Sequence, residues 1–275
     1  MSMSIRTNVS SLNAQRNMNA TQMTLDSSLS RLSSGYRITK AGDDAAGLGI
    51  SVNLESQIRS YGQAVRNAND GVSVIQTAEG AMNEQSNILS RMRELAMQSA
   101  SDGIGNTERG YIQNEVVALT AELERVAQGT EYNGQKLLDG SATTLDFQVG
   151  IRNVAANDRI TVTTVDSTTA TLGVAGLSLA SKATSQAAIA TLDTALQTMS
   201  AARATLGAAG NRFSSAIASI QTFSENLSAA NSRIRDVDVA EETSRMSRSQ
   251  VLMQAGVSVL AQANQMPQIA LKLLG

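Results

Sequence analysis

Side chains able to do chemistry are few in this 275-residue chain, and that scarcity narrows what it does. Cys and His are both absent. Thiolate nucleophiles, disulfides, the commonest zinc ligands and the usual general base are therefore unavailable. What remains is clustered carboxylates and one charged helical run. Asp43 and Asp44 follow Gly42, and Asp236, Asp238, Glu241 and Glu242 crowd a second short stretch. Carboxylates at that density suggest a cation site, but neither run has the ligand spacing of an EF-hand loop. Capping and solvated joints account for them better, with Asp43 or Asp44 accepting the free N–H groups of a new first turn. The other constellation is Arg91-Met92-Arg93-Glu94-Leu95, a helix with Met92 and Leu95 inward and its charges outward. There is no Gly-rich phosphate loop, no nucleophile beside a base and no βαβ pattern. No catalytic residue, cofactor or metal is expected, and the chain is not read as an enzyme.

The elements around these groups carry the stronger signal. At the C-terminus Met246, Met253, Leu260, Pro267 and Leu274 recur every seven residues, with Gln250, Val257, Asn264 and Leu271 as companions. No side chain from Ser249 to Leu271 is charged. At the N-terminus Ile5, Val9, Leu12, Met18, Leu25, Leu29 and Leu32 repeat the pattern. A helix with a sticky side and little like-charge repulsion needs a partner helix. Leu25, Leu29, Leu32, Met253, Val257, Leu260, Leu271 and Leu274 are thus the expected assembly residues. Two thin helices offer one narrow seam, too little to offset chain entropy alone. Residues 1–40 and 240–275 are therefore expected to be disordered in monomers and to fold on assembly.

Between the ends, the apolar spacing predicts one helix from about Asp44 to Ser101 and a shorter one from the Asn106-Thr107 cap signal to Gly129. It then predicts a small hairpin (Leu145, Phe147, Val149 against Ile160, Val162). A second long helix begins near Ser185, on a stripe through Ile189, Leu192, Leu196, Met199, Leu206, Phe213, Ile217, Ile220, Leu227 and Ile234, with a joint across Arg235–Asp238. A helix of about 58 residues is ~87 Å long, against a radius of gyration of ~19 Å for a globule of this length. The expected fold is mainly α: an elongated rod of long antiparallel helices with a small β-hairpin region and paired terminal helices. The expected domains are 1–43 with 236–275, a terminal coiled-coil core, and 44–235, a helical rod including the short variable region 141–184. Pro267 is expected to kink the last helix or mark its last turn.

Composition agrees. There is one Pro, aromatics are 3% and charged residues 17%, with a formal net charge of −2. No basic face invites nucleic acid. The N-terminus up to Gly42 holds Arg6, Arg16, Arg31, Arg37 and Lys40 against Asp26, an excess that suits the acidic joint. Met1 to Ser10 lacks the pattern of a cleaved secretory signal. The uncharged C-terminal stretch is interrupted by Gln250, Gln254, Gln262, Asn264, Gln265 and Gln268 and is too polar to insert in a membrane.

Several stretches resemble one family. LSSGYRITKAGDDAAGLGIS (Leu32 to Ser51) resembles the N-terminal signature of bacterial flagellins, with Tyr36 where an aliphatic residue is more usual. TEYNGQKLLDG (Thr130 to Gly140) and FQVG (Phe147 to Gly150) resemble the family's link into the hairpin, and ARATLGAAGNRF (Ala202 to Phe213) with Asn231 to Gly275 its C-terminal half. The resemblance implies a homopolymer, the subunit of the bacterial flagellar filament, exported without a cleaved signal peptide through the flagellar secretion system. It implies an export chaperone and hook-associated and cap proteins as partners. It also implies that Arg91, Leu95 and Glu115 lie where a host Toll-like receptor binds and where subunits pack on each other. The alternative within the resemblance is a hook–filament junction protein, which shares the end helices.

Overall fold

The computed structural model describes residues 7–141 and 144–272, with side chains through 265. Ile5 and Leu274 lie outside the described residues, as do the side chains of Pro267 and Leu271. Among the described residues the helices are α1 (Val9–Ser34), α2 (Ala45–Ser99), α3 (Asn106–Gly129), α4 (Ala155–Asp158), α5 (Lys182–Arg235) and α6 (Val239–Lys272). The strands are β1 (Glu131–Tyr132), β2 (Gln135–Lys136), β3 (Thr144–Gln148) and β4 (Arg159–Thr163). The break between α5 and α6 falls at the joint expected across Arg235–Asp238. The compact units nevertheless divide inside continuous helices: Met1–Ser56 with Asn226–Gly275, and Gln57–Glu225. The backbone of α6 stays helical past Pro267 to Lys272, so the proline does not mark the last turn.

In the first unit, side-chain oxygens start the helices. Asn8 Oδ1 accepts from Ser11 N at 3.1 Å, Asp44 Oδ1 from Gly47 N at 2.8 Å, and Asp238 Oδ1 from Ala240 N at 2.9 Å. α1 ends at Gly35, whose φ of 75° sits in the left-handed region open to glycine. Its N–H reaches back to Arg31 O at 2.9 Å. Beyond it Tyr36 bridges antiparallel to Asp236, Arg37 N–H donates to Arg235 O at 2.7 Å, and Val237 N–H donates to Gly35 O at 3.0 Å. The Arg235 guanidinium lies over the Tyr36 ring at 4.2 Å and meets Glu55 at 3.1 Å.

In the second unit α2 and α5 run antiparallel, with Arg93 on Asp193 and Ser185 Oγ donating to Ser99 Oγ at 3.0 Å. The expected α5 stripe keeps its main frame, since Leu192, Met199, Leu206, Phe213 and Ile220 are buried. The companion stripe is corrected. Ala188, Ala195 and Ala209 fill it, and Ile189, Leu196 and Ile217 are only partly buried. Small residues at every second seam position bring backbones close, and the larger aliphatics flank the contact. Gly71 shows the same economy: a Cβ there would stand 2.5 Å from Phe213 Cζ.

α3 also departs in detail. Gly105 occupies its N-cap position and makes no side-chain cap bond. Asn106 Oδ1 instead accepts from Arg109 at 3.0 Å, and the buried Arg109 donates to Ser99 O and Ser101 O, each at 2.9 Å. A guanidinium from α3 thus satisfies carbonyls left free where α2 stops. β3 and β4 pair antiparallel, Leu145 opposite Val162 and Phe147 opposite Ile160. Val149 falls just outside the ladder. Phe147 meets Phe213 edge-on at 5.5 Å, which ties the hairpin to α5.

The terminal helix pair and the Arg91 face

α1 and α6 pack antiparallel, and their seam is built differently from the apolar stripes. On α1 the covered positions step by three and four through Ser11, Ala14, Met18, Thr21, Leu25, Ser28 and Leu32. On α6 they step through Glu242, Met246, Ser249, Met253, Gly256, Leu260 and Ala263. Leu25, Leu32, Met253 and Leu260 therefore sit in the seam. Leu29 and Val257 do not: they are 48% and 55% exposed. The companion stripe Gln250, Val257, Asn264 is replaced by Ser249, Gly256 and Ala263, one residue earlier. The buried members are small or polar, Ser28 at 2% exposure and Glu242 at 5%.

Hydrogen bonds mark both ends of the pair. Asn8 Nδ2 donates to Ala263 O at 2.7 Å, and Ser11 Oγ donates to Asn264 Oδ1 at 2.9 Å. At the other end Ser28 Oγ donates to Glu242 Oε1 at 2.6 Å, with Arg31 at 3.9 Å and Arg245 at 4.0 Å from the same carboxylate. Arg31 also approaches Asp43 at 3.7 Å. Asp43 is held below the usual carboxylate range first by Thr39, through its N–H and hydroxyl, then by the Lys40 N–H and the Arg31 charge. Arg31, Arg37, Arg233 and Arg245 face Asp43, Asp236, Asp238, Glu241 and Glu242 around a hollow of about 330 Å³. The basic excess of the N-terminal segment thus meets the acidic joint. Among the described residues no group of three or more acidic side chains is arranged to hold a metal ion.

With the seam closed by small and polar groups, large apolar side chains face outward. Among the described residues these are Val9, Leu12, Met23 and Leu29 on α1, and Val239, Val251, Leu252, Val257 and Val259 on α6. Exposed apolar surface at that density marks an interaction face.

The charged run lies in the other unit. Arg91 Nε and Nη2 donate to Glu115 Oε1 on α3 at 3.0 and 2.9 Å, and Nη1 donates to Glu94 at 3.0 Å. These bonds, Glu115's first, hold the Arg91 guanidinium above its ordinary pKa. Arg91 and Glu115 are both half-exposed, whereas Leu95 is 2% exposed in the core beneath them. The structure brings the two charged residues together and keeps Leu95 from direct contact with any partner.

A chain whose two ends pair through a thin polar seam and turn apolar faces outward is a structural, self-assembling protein. Comparison with known proteins agrees. The family models for the bacterial flagellin N-terminal and C-terminal helical regions match residues 5–143 and 189–274. A flagellin of Halalkalibacterium halodurans is 43% identical over 272 residues, covering 99% of this chain and all of that protein. Flagellin B of Vibrio cholerae is 36% identical and covers the whole of both chains. The crystal structure of Bacillus cereus flagellin superposes with a TM-score of 0.51 at 33% identity, over 60% of this chain and 94% of that one. A flagellar hook-associated protein from Vibrio parahaemolyticus shares the fold, TM-score 0.59, at only 13% identity over 70% of this chain and all of that one. The chain belongs to the bacterial flagellin family and is a structural subunit of the flagellar filament, the polymer of bacterial motility.

Proposed function

We propose that α1 and α6 are the polymerisation element, and that they order only when neighbouring copies cover their outward apolar faces. The observation that carries this is the inversion just described. The intramolecular seam buries serines and a glutamate, while nine large apolar side chains among the described residues of α1 and α6 stay exposed. The seam supplies little burial of its own, so most of the favourable free energy of the two ends comes from other subunits. An uncharged stretch from Ser249 to Leu271 keeps copies from repelling one another. On this reading the chain leaves the cell unfolded through the flagellar secretion channel, attended by an export chaperone. It adds below a cap protein onto a base of hook-associated proteins, and it performs no catalysis. Adding purified protein to short seed filaments and pelleting tests the reading, with micrographs of the pellet. Filaments micrometres long are expected. Protein that stays in the supernatant defeats the reading, and rings or short stacks point instead to a junction role.

A second reading rests on the Arg91–Glu115 pair. A paired, half-exposed guanidinium and carboxylate on adjacent helices present a shaped polar patch, and we propose it as the face a host Toll-like receptor recognises on the monomer. In the filament the same patch packs between subunits. A reporter-cell assay comparing the monomer with Arg91→Ala tests it, and equal responses end the idea.

A further inference from the structure

We propose that the methionines of α1 and α6 make the unassembled chain ends an oxidation site: a peroxide converts their thioethers to sulfoxides, and the oxidised subunit is kept out of the filament. The proposal rests on the assembly reading above. Composition leaves a peroxide little else to attack. The chain has no Cys, no His and no Trp, but it has eleven Met. The methionine thioether is therefore its most easily oxidised side chain. Five of the eleven, Met18, Met23, Met246, Met253 and Met266, lie in the two terminal helices.

Placement separates these methionines from the rest. Met23 is 68% exposed, two heptads along α1 from the exposed Val9 and so on the same outward face. Met18, Met246 and Met253 are half-buried in the seam. That seam covers them only while the pair is formed, and on the assembly reading the free chain does not hold it. In the second unit Met82, Met92 and Met199 are at most 1% exposed, shielded by a core that needs no neighbour. Only Met97 is open there, on the surface of α2. The thioether sulfur attacks one peroxide oxygen with a lone pair. The O–O bond breaks as the S–O bond forms, and the other oxygen leaves as water with both protons. Sulfur is oxidised by two electrons and the peroxide is reduced. A flexible apolar side chain thereby becomes a polar one. At Met23 that polar group would have to be buried without a partner beneath a neighbouring subunit, and at the seam positions it would have to enter a close-packed contact. Once a subunit is in the polymer its thioethers are covered, so oxidation acts on chains that have yet to add.

The test treats the monomeric full chain with hydrogen peroxide, removes the excess with catalase and reads the critical concentration by seeded pelleting. Peptide mass spectrometry locates the sulfoxides. At a dose that oxidises the terminal methionines, the critical concentration is expected to rise by at least about tenfold. Methionine sulfoxide reductases are expected to return it to within about threefold of the untreated chain. A combined variant, Met18→Leu, Met23→Leu, Met246→Leu, Met253→Leu and Met266→Leu, keeps apolar bulk at each site. Its treated and untreated values are expected to agree within about twofold, a ratio that cancels any change leucine itself makes. Met97→Leu is expected to stay as sensitive as wild type. After partial oxidation of wild type, sulfoxide at Met18, Met23, Met246 and Met253 is expected to be depleted from the pellet and enriched in the supernatant. Even sharing of that sulfoxide between pellet and supernatant, a combined variant that peroxide still disables, or an insensitive Met97→Leu overturns the oxidation site. Wild-type assembly by Leu29→Ser with Val257→Ser, which alters the outward faces and no methionine, overturns the assembly reading instead.

Discussion

Replacing Leu29 and Val257 together by serine isolates the outward apolar faces of α1 and α6 from the seam between them. Neither residue lies in that seam, and each already shows about half its surface, 48% and 55%. Burying a whole Leu or Val side chain stabilises by roughly 1.5–3 kcal/mol, so covering the remaining half contributes about 1 kcal/mol per residue. The double substitution removes about 2 kcal/mol, and a 30-fold rise, roughly, in critical concentration is expected. The monomer should hardly notice, because substitutions at exposed sites outside a packed contact usually change stability by less than about 0.5 kcal/mol. The assay is pelleting after seeding across a dilution series, with thermal unfolding of the monomer as control. A critical concentration within about twofold of wild type would refute the reasoning, because these faces would then be covered by nothing in the polymer.

Four further outcomes are expected. Phe213→Ala removes a fully buried ring that seats on Gly71 and meets Phe147 edge-on, and should cost the second unit about 3–5 kcal/mol in denaturant unfolding. Gly71→Ala in the same place should also destabilise, because the ring cannot yield without disturbing the hairpin, even though alanine is the better helix former. Arg91→Ala should leave unfolding within about 1 kcal/mol of wild type, the usual limit for exposed ion pairs, so any lost receptor response cannot be laid to misfolding. Acid should loosen the 139–171 segment first. Glu124 is held below its ordinary pKa by the Thr169 N–H and hydroxyl, and Asp166 by the Thr171 hydroxyl and then Thr168 against a desolvation penalty. For carboxyls with depressed folded-state values, stabilisation is present above the unfolded pKa and vanishes as pH falls through the folded one. Protection of the Thr169 amide, its exchange taken against the intrinsic rate at each pH, should therefore fall below the usual carboxylate range and stay flat from neutrality down to it. Loss of protection at higher pH would contradict this.

The sequence by itself carried the period of every long helix, the helix start near Asp44, the joint across Arg235–Asp238, and a hairpin between the Leu145–Val149 and Ile160–Val162 runs. Each of these depends on local chemistry. Glycine in a left-handed turn, aspartates capping the helix that follows and apolar residues three and four apart are decided by near neighbours along the chain. The shared family motifs likewise lie in continuous stretches. Only the tertiary structure decided the phase of each second stripe. Choosing the largest apolar residue at each step favours Leu29, Val257, Ile189 and Leu196. Close approach of two backbones instead selects Ser28, Gly256, Ala188 and Ala195, since a helix pair is held by what fits between its axes. The signal was present, as small residues also recur by threes and fours, but size complementarity with a helix far along the chain cannot be read from either helix alone. For the same reason Glu242, one more carboxylate in an acidic joint, gained a partner in Ser28 only through the fold. Arg109, unremarked on α3, became the group that satisfies the end of α2.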